Sequence, residues 1–194
     1  MATAPRIDLT NQFLIAMPGM VDETFAGTVV YLCEHTEKGA LGLVINKPID
    51  IKLKNLFEKV ELAKPPSPLA EQPVYFGGPV QTERGFVLHE KQAEGASPYN
   101  STLSIGDSGL EMTTSKDVLE AMADGAGPKK VLITLGYSGW QAGQLEDELG
   151  RNGWLTVDAD PAVIFDTPIE QRYDRALSLL GFDPRMLSQE AGHA

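Results

Sequence analysis

Cysteine is nearly missing from these 194 residues: Cys33 stands alone, which excludes an intrachain disulfide and fits a reducing compartment. Basic residues are scarce as well. Lys plus Arg number 16 against 27 Asp plus Glu, a formal net charge of −11. A surface of that sign repels phosphate backbones and anionic lipid unless its bases cluster. They are scattered, and the nearest thing to a patch, residues 47–59, is broken by Asp50 and Glu58. Direct DNA binding is therefore disfavoured, although an acidic protein can act on transcription through a protein partner. Long hydrophobic runs are lacking too. The early apolar run at residues 13–17 ends at Pro18-Gly19 and has no basic stretch before it. It is too short for a signal sequence or a membrane span, so a soluble cytoplasmic protein without membrane contact is expected.

Two families of motif are also missing. Neither G-x-G-x-x-G nor the Walker lysine occurs, which leaves nucleotide binding without motif support. No C-x-x-C or H-x-x-x-H spacing occurs either. Cys33 and His35, two apart on a predicted strand, are expected to face the same way, and a third ligand could come from His89 or Glu90. One such pair is a weak signal, so no metal and no cofactor are expected, and Cys33 reads as a small buried hydrophobe.

What is present is enough apolar sequence, 42%, to bury a core within one domain over residues 1–194, with poorly ordered ends at about 1–8 and 188–194. Short runs rich in β-branched and aromatic residues predict strands at 13–17, 27–33, 39–46, 74–76, 85–89, 101–105, 110–113, 131–135, 154–157 and 162–165. Ile49, Leu53, Leu56, Phe57 and Val60 form the apolar stripe of an amphipathic helix, closed by the proline-rich loop Lys64-Pro65-Pro66-Ser67-Pro68. Further helices are predicted at 115–124, along Ala142, Leu145 and Leu149, and along Ile169, Tyr173, Ala176, Leu177 and Leu180. A weak helix is predicted in the tail, 183–194. Adjacent hairpins without regular βαβ alternation argue for an α+β fold.

The run Gly136-Tyr137-Ser138-Gly139-Trp140-Gln141-Ala142-Gly143-Gln144-Leu145-Glu146 follows the 131–135 strand and opens a helical pattern. Together with Gly42-Leu43-Val44-Ile45-Asn46-Lys47-Pro48 and Phe76-Gly77-Gly78-Pro79-Val80, it resembles the YqgE/AlgH family of bacterial proteins. The resemblance extends from Leu9 to about Leu187. It implies an α+β fold on a bent, partly folded-over mixed β-sheet with helices packed around it. It also brings a transcriptional-regulator label, and it assigns no activity.

A glycine-rich strand-to-helix turn is expected to present free N–H groups suited to an anion or carboxylate. Gln141, Gln144 and Glu148 share one polar face of the predicted helix, and Trp140 extrapolates away from its apolar stripe. Trp140 could thus stack a ligand or anchor a partner; otherwise it packs beneath the sheet or on Trp154. Asn46 and Lys47, at the end of a predicted strand, could bind a carboxylate or phosphate. Gly77 and Gly78 suit a ligand loop and a tight fold-over of the sheet equally. Gly136-Tyr137-Ser138-Gly139-Trp140 departs from the nucleophile elbow G-x-S-x-G, because Trp140 occupies the second glycine's place and only His193 follows. Asn46, Lys47, Gly77, Gly78, Ser138, Trp140 and Gln144 are the candidate ligand-binding residues, and no catalytic residue is identified. The expectation is a non-catalytic module that binds a small molecule or a protein partner and regulates indirectly. The alternative is an enzyme of unassigned chemistry using a pocket near residues 136–146.

Overall fold

The computed structural model describes residues 7–18, 23–92 and 94–181. Ten strands, β1 (Gln12–Ala16), β2 (Val29–Thr36), β3 (Gly39–Val44), β4 (Pro48–Lys52), β5 (Pro73–Phe76), β6 (Val80–Glu90), β7 (Thr102–Ser104), β8 (Leu110–Thr113), β9 (Val131–Gln141) and β10 (Trp154–Asp158), form one curled sheet. Five short helices pack around it: α1 (Leu53–Lys59), α2 (Asp117–Ala123), α3 (Gln144–Gly150), α4 (Pro161–Phe165) and α5 (Arg172–Ser178). All pairings are antiparallel except β5 with β9, so the fold is the α+β class with a bent mixed sheet. No described helix is long and apolar enough to cross a membrane.

β9 organises the sheet. Its first half pairs with β6 along one edge and with β5 along the other, through Tyr75↔Thr134 and Phe76↔Leu135. Its second half, Ser138–Gln141, pairs with β3 on the β5 side. Three runs of strands, β10-β1-β2-β3, β4-β5 and β6-β8-β7, thus pair with β9, the first two along one edge and the third along the other. The first run makes up one half of the sheet, and the second and third make up the other. Phe13, Tyr31, Ile45, Leu88 and Leu132 line the face shared by both halves, where α4 and α5 close the core. Leu14, Val30, Leu32 and Leu145 pack on the outer face of the first half. Leu53, Phe57, Val87, Val118 and Ile133 do so on the second.

Because β5 and β6 flank β9 on opposite edges, the chain between them must cross over β9. It does so at Gly77-Gly78, directly above Gly136. A Cβ on Gly77 would lie 2.3 Å from the Gly136 carbonyl oxygen, and one on Gly78 2.2 Å from that of Tyr137. A Cβ on Gly136 would lie 2.4 Å from the Gly78 carbonyl oxygen. The sequence offered a fold-over or a ligand loop at Gly77-Gly78; the geometry is a fold-over, with two backbones in contact.

Several sequence expectations change. β9 continues through Gln141, so residues 136–141 are strand and not a strand-to-helix turn with free N–H groups. Pairing with β3 overrides the poor strand propensity of Gly and Ser there. Residues 162–165 are helical. Asp160 caps α4 by accepting from the Ala162 N–H at 3.0 Å, and Pro161 starts it, a combination that suits a first helical turn. The stripe from Ile49 begins on β4, and only Leu53–Lys59 is helix. Cys33 and His35 fall on opposite faces, because a bulge between Leu32 and Glu34 shifts the alternation by one residue. Cys33 joins the shared core, while His35 stands opposite Ala40 on the outer face. The predicted tail helix at 183–194 lies outside the described residues.

Gly136 and Gly109 have nearly equal φ, +80° and +79°, but nothing lies within 4 Å of a Cβ on Gly109. Gly109→Ala is expected to cost about 1 kcal/mol from backbone strain alone. Gly136→Ala should cost about 2–3 kcal/mol more, because the crossing chain has to move. Urea unfolding of both variants checks this. Equal losses would show that the crossing imposes no steric demand.

Candidate functional site

The crossing gathers three of the candidate residues, Gly77, Gly78 and Ser138. Ser138, fully buried, donates its hydroxyl to the Gly77 carbonyl at 3.0 Å, beside the Val44 N–H, which donates to the same oxygen at 3.0 Å. Asn46 accepts from the Val29 N–H at 2.9 Å and donates to the Gly27 carbonyl at 2.9 Å. Its amide therefore ties the chain entering β2 to the end of β3. Lys47 gives its carbonyl to the Phe76 N–H at 2.8 Å, and its ammonium lies 4.0 Å from where a Cβ on Gly27 would stand. Gly77, Gly78 and Ser138 thus meet at the crossing, while Asn46 holds the neighbouring chain at Gly27 and Val29.

Trp140 and Gln144 belong to a second group, one step along β9. Trp140 is 6% exposed and points to the outer face, where α3 packs, and not away from it as the helical extrapolation had it. It packs on Trp154, with ring centroids 6.1 Å apart in a T-shaped pair. Phe25 completes the cluster, 6.2 Å from the Trp140 ring and 5.5 Å from the Trp154 ring. One carboxylate satisfies both indoles: Glu148 Oε1 accepts from Trp140 Nε1 at 3.1 Å and from Trp154 Nε1 at 2.9 Å. Glu148 Oε2 accepts from Gln144 Nε2 at 3.0 Å, and Gln144 Oε1 accepts from the Gln141 N–H at 3.0 Å. The Gln144–Glu148 pair was legible from its i, i+4 spacing. Packing of Trp140 on Trp154 was one of the two readings the sequence offered, whereas Phe25, in the loop that leads into β2, was missed.

Two clefts meet here. One, of about 510 Å³, lies between the β2–β3 hairpin and β9 and is lined by Glu34, Lys38, Leu41, Val80 and Tyr137. The other, of about 270 Å³, is walled by Phe25, Trp154, Glu148 and Arg151. Gly139, Trp140 and Gln144 line both.

Three further titratable groups, His35, Cys33 and His89, are buried. His35 is buried, and its Nδ1 accepts from the Leu9 N–H at 3.0 Å, which leaves the proton on Nε2, 2.9 Å from Glu146 Oε1. Burial pushes the Cys33 thiol well above its ordinary range, so it is protonated and inert. His89 is fully buried on β6, 2.8 Å from the Thr113 hydroxyl and 2.8 Å from the Glu90 carbonyl. Burial holds its imidazole below the usual histidine value, although the Glu90 carbonyl and Glu111 oppose that shift.

The family model described as AlgH-like (DUF179) matches residues 13–185. The chain belongs to the AlgH-like family. A UPF0301 protein of Ralstonia nicotianae is 67% identical over 188 residues, covering 97% of this chain and 96% of that relative. A UPF0301 protein of Burkholderia cenocepacia is 68% identical over 189 residues, covering 97% of each. Among solved structures, the AlgH protein from Pseudomonas aeruginosa matches with a TM-score of 0.77 at 50% identity over the full length of both chains. A Corynebacterium diphtheriae protein matches at 0.68 with 20% identity over 89% of this chain and 87% of its own, which shows the fold alone. The AlgH-like family has no characterised function.

Glu148→Ala in this AlgH-like chain leaves two indole N–H donors without their acceptor and should cost about 2 kcal/mol. Tryptophan emission should shift to the red, and Glu148→Gln, which keeps an acceptor oxygen, should lose less. Indistinguishable spectra for wild type and Glu148→Ala would count against the shared bond. His89 gives a pH prediction. Above about pH 6.5 neither state protonates it, whereas below that the unfolded chain takes a proton that the folded chain resists. Stability should therefore fall as the pH drops from 6.5 toward the depressed folded value. His89→Asn should flatten that part of the urea-midpoint profile, and an unchanged slope between pH 7 and 5.5 would refute it.

Proposed function

We propose that this protein is a non-catalytic binding module, working as a single cytoplasmic unit, whose ligand seats against Gly139, Trp140 and Gln144. The observation that carries this reading is that two adjoining clefts share these three residues. The lining combines large aromatic surface with a few oriented polar groups, the composition of sites that recognise a ligand. The groups a hydrolytic mechanism would recruit are engaged elsewhere. The Ser138 hydroxyl is buried and donates to Gly77, and Glu148 accepts three hydrogen bonds. Asn46, Lys47, Gly77, Gly78 and Ser138 support the site by fixing the backbone beneath it. With a net charge of −11, a regulatory effect would pass through the bound small molecule or protein and not through a grip on DNA.

Trp140 and Trp154 are the only tryptophans in the chain, so tryptophan fluorescence, excited selectively, reports on this surface alone. A thermal-shift screen against metabolites, nucleotides and metal ions, followed by fluorescence titration of each hit, tests the small-molecule form of the proposal. A ligand at 100 times its Kd should add about 2.7 kcal/mol of stability and move the tryptophan emission. Hits that stabilise without touching the fluorescence would place binding elsewhere and overturn the site.

A further inference from the structure

The free edge of β9 suggests what kind of partner the site takes. In an antiparallel ladder, alternate residues turn their N–H and C=O groups toward one neighbour and then toward the other. Tyr137 stands opposite Val80 on β6, and the Gln141 N–H is bonded to the Gln144 side chain. The odd-numbered residues of this stretch, Tyr137, Gly139 and Gln141, therefore face away from β3. Past Tyr137 no described strand pairs with that edge. Gly139 is exposed, and the edge opens into the larger cleft.

Resting on the binding reading above, we propose that the occupant is an extended, net-basic peptide segment of a partner protein, added as a strand along Gly139–Gln141. Three features fit this occupant. Gly139 offers an N–H and a C=O two residues from the Gln141 C=O, the repeat that an extended backbone matches. The Gln144 side-chain amide already occupies the Gln141 N–H, standing where a carbonyl of an incoming strand would stand. Side chains of an added strand alternate between faces, and the residues that line the clefts belong to both faces, Tyr137 and Leu41 to one and Trp140 and Phe25 to the other. Main-chain bonds with pockets for alternate side chains are the recognition mode of strand addition. A basic segment is the one drawn in by the long-range field of a chain with a net charge of −11.

The test uses the full-length protein and a phage-displayed library of random dodecapeptides. Enriched peptides are expected to carry net positive charge, to shift the Gly139 amide in proton–nitrogen correlation spectra, and to bind more weakly as salt rises. N-methylation of each backbone amide that faces β9 should weaken binding about tenfold while leaving every side chain in place. Enriched peptides that leave Gly139 unmoved, or that tolerate N-methylation at every position, would overturn strand addition. So would a Gly139 shift that grows with protein concentration without peptide, which identifies a second copy as the occupant. If no peptide enriches while a small ligand moves the tryptophan emission, strand addition fails and the binding reading stands. If neither binds, both fail.

Discussion

Two backbones cross in direct contact at Gly77-Gly78 and Gly136, and the rest of the architecture follows from that contact. A side chain at any of these positions would force apart the two backbones where the chain leaving β5 passes over β9 to begin β6. The same crossing bends the sheet. The positive φ of Gly136 reverses the alternation of β9, so that its first half serves one set of strands and its second half another. Ser138 and the Val44 N–H converge on the Gly77 carbonyl immediately beside it, locking the end of β3 to the crossing. Few polar interactions here are optional, because water has no access to a contact this close.

The outer face of the first half depends on a second constraint, the Glu148 carboxylate between two indoles. Aromatic packing alone leaves Trp140 and Trp154 with N–H donors at a largely buried position, where an unmade bond is costly. One carboxylate on α3 answers both, which fixes the helix against two strands that are distant in the sheet order. Gln144 then bridges from Glu148 to the backbone of β9. The rim of the clefts is thereby part of the same bonded unit as their floor.

Much of the fold was legible because burial on one or both faces leaves a plain apolar signature. The strands near 13–17, 27–33, 74–76, 85–89 and 131–135 are of this kind. What escaped was set by partners remote in sequence. Residues 136–141 carry the composition of a loop, and only β3 makes them strand, so Trp140 was projected from the wrong element. The bulge after Leu32 separates Cys33 from His35 and leaves no local mark. The tetrad at 162–165 is apolar enough for a strand, and the signal that decides otherwise, an Asp cap followed by Pro161, sits just ahead of it. For the candidate site, the sequence singled out three segments, residues 42–48, 76–80 and 136–146. Sequence could not separate those that build the crossing from those that border the clefts, since both tasks favour glycine and small polar residues.

An unpaired strand edge is a hazard in most proteins, because it templates indiscriminate pairing. Here three features confine it. The edge is short, bounded by the crossing at Gly136 on one side and the turn at Gly143 on the other. The Gln144 amide covers one of its donors reversibly, at the strength of an ordinary hydrogen bond. The negative charge of the chain discourages a second copy from approaching, while the same field draws in a basic segment. An edge that is short, partly covered and charge-selective is poorly suited to aggregation. It is well suited to taking one extended peptide whose side chains fill the adjoining clefts.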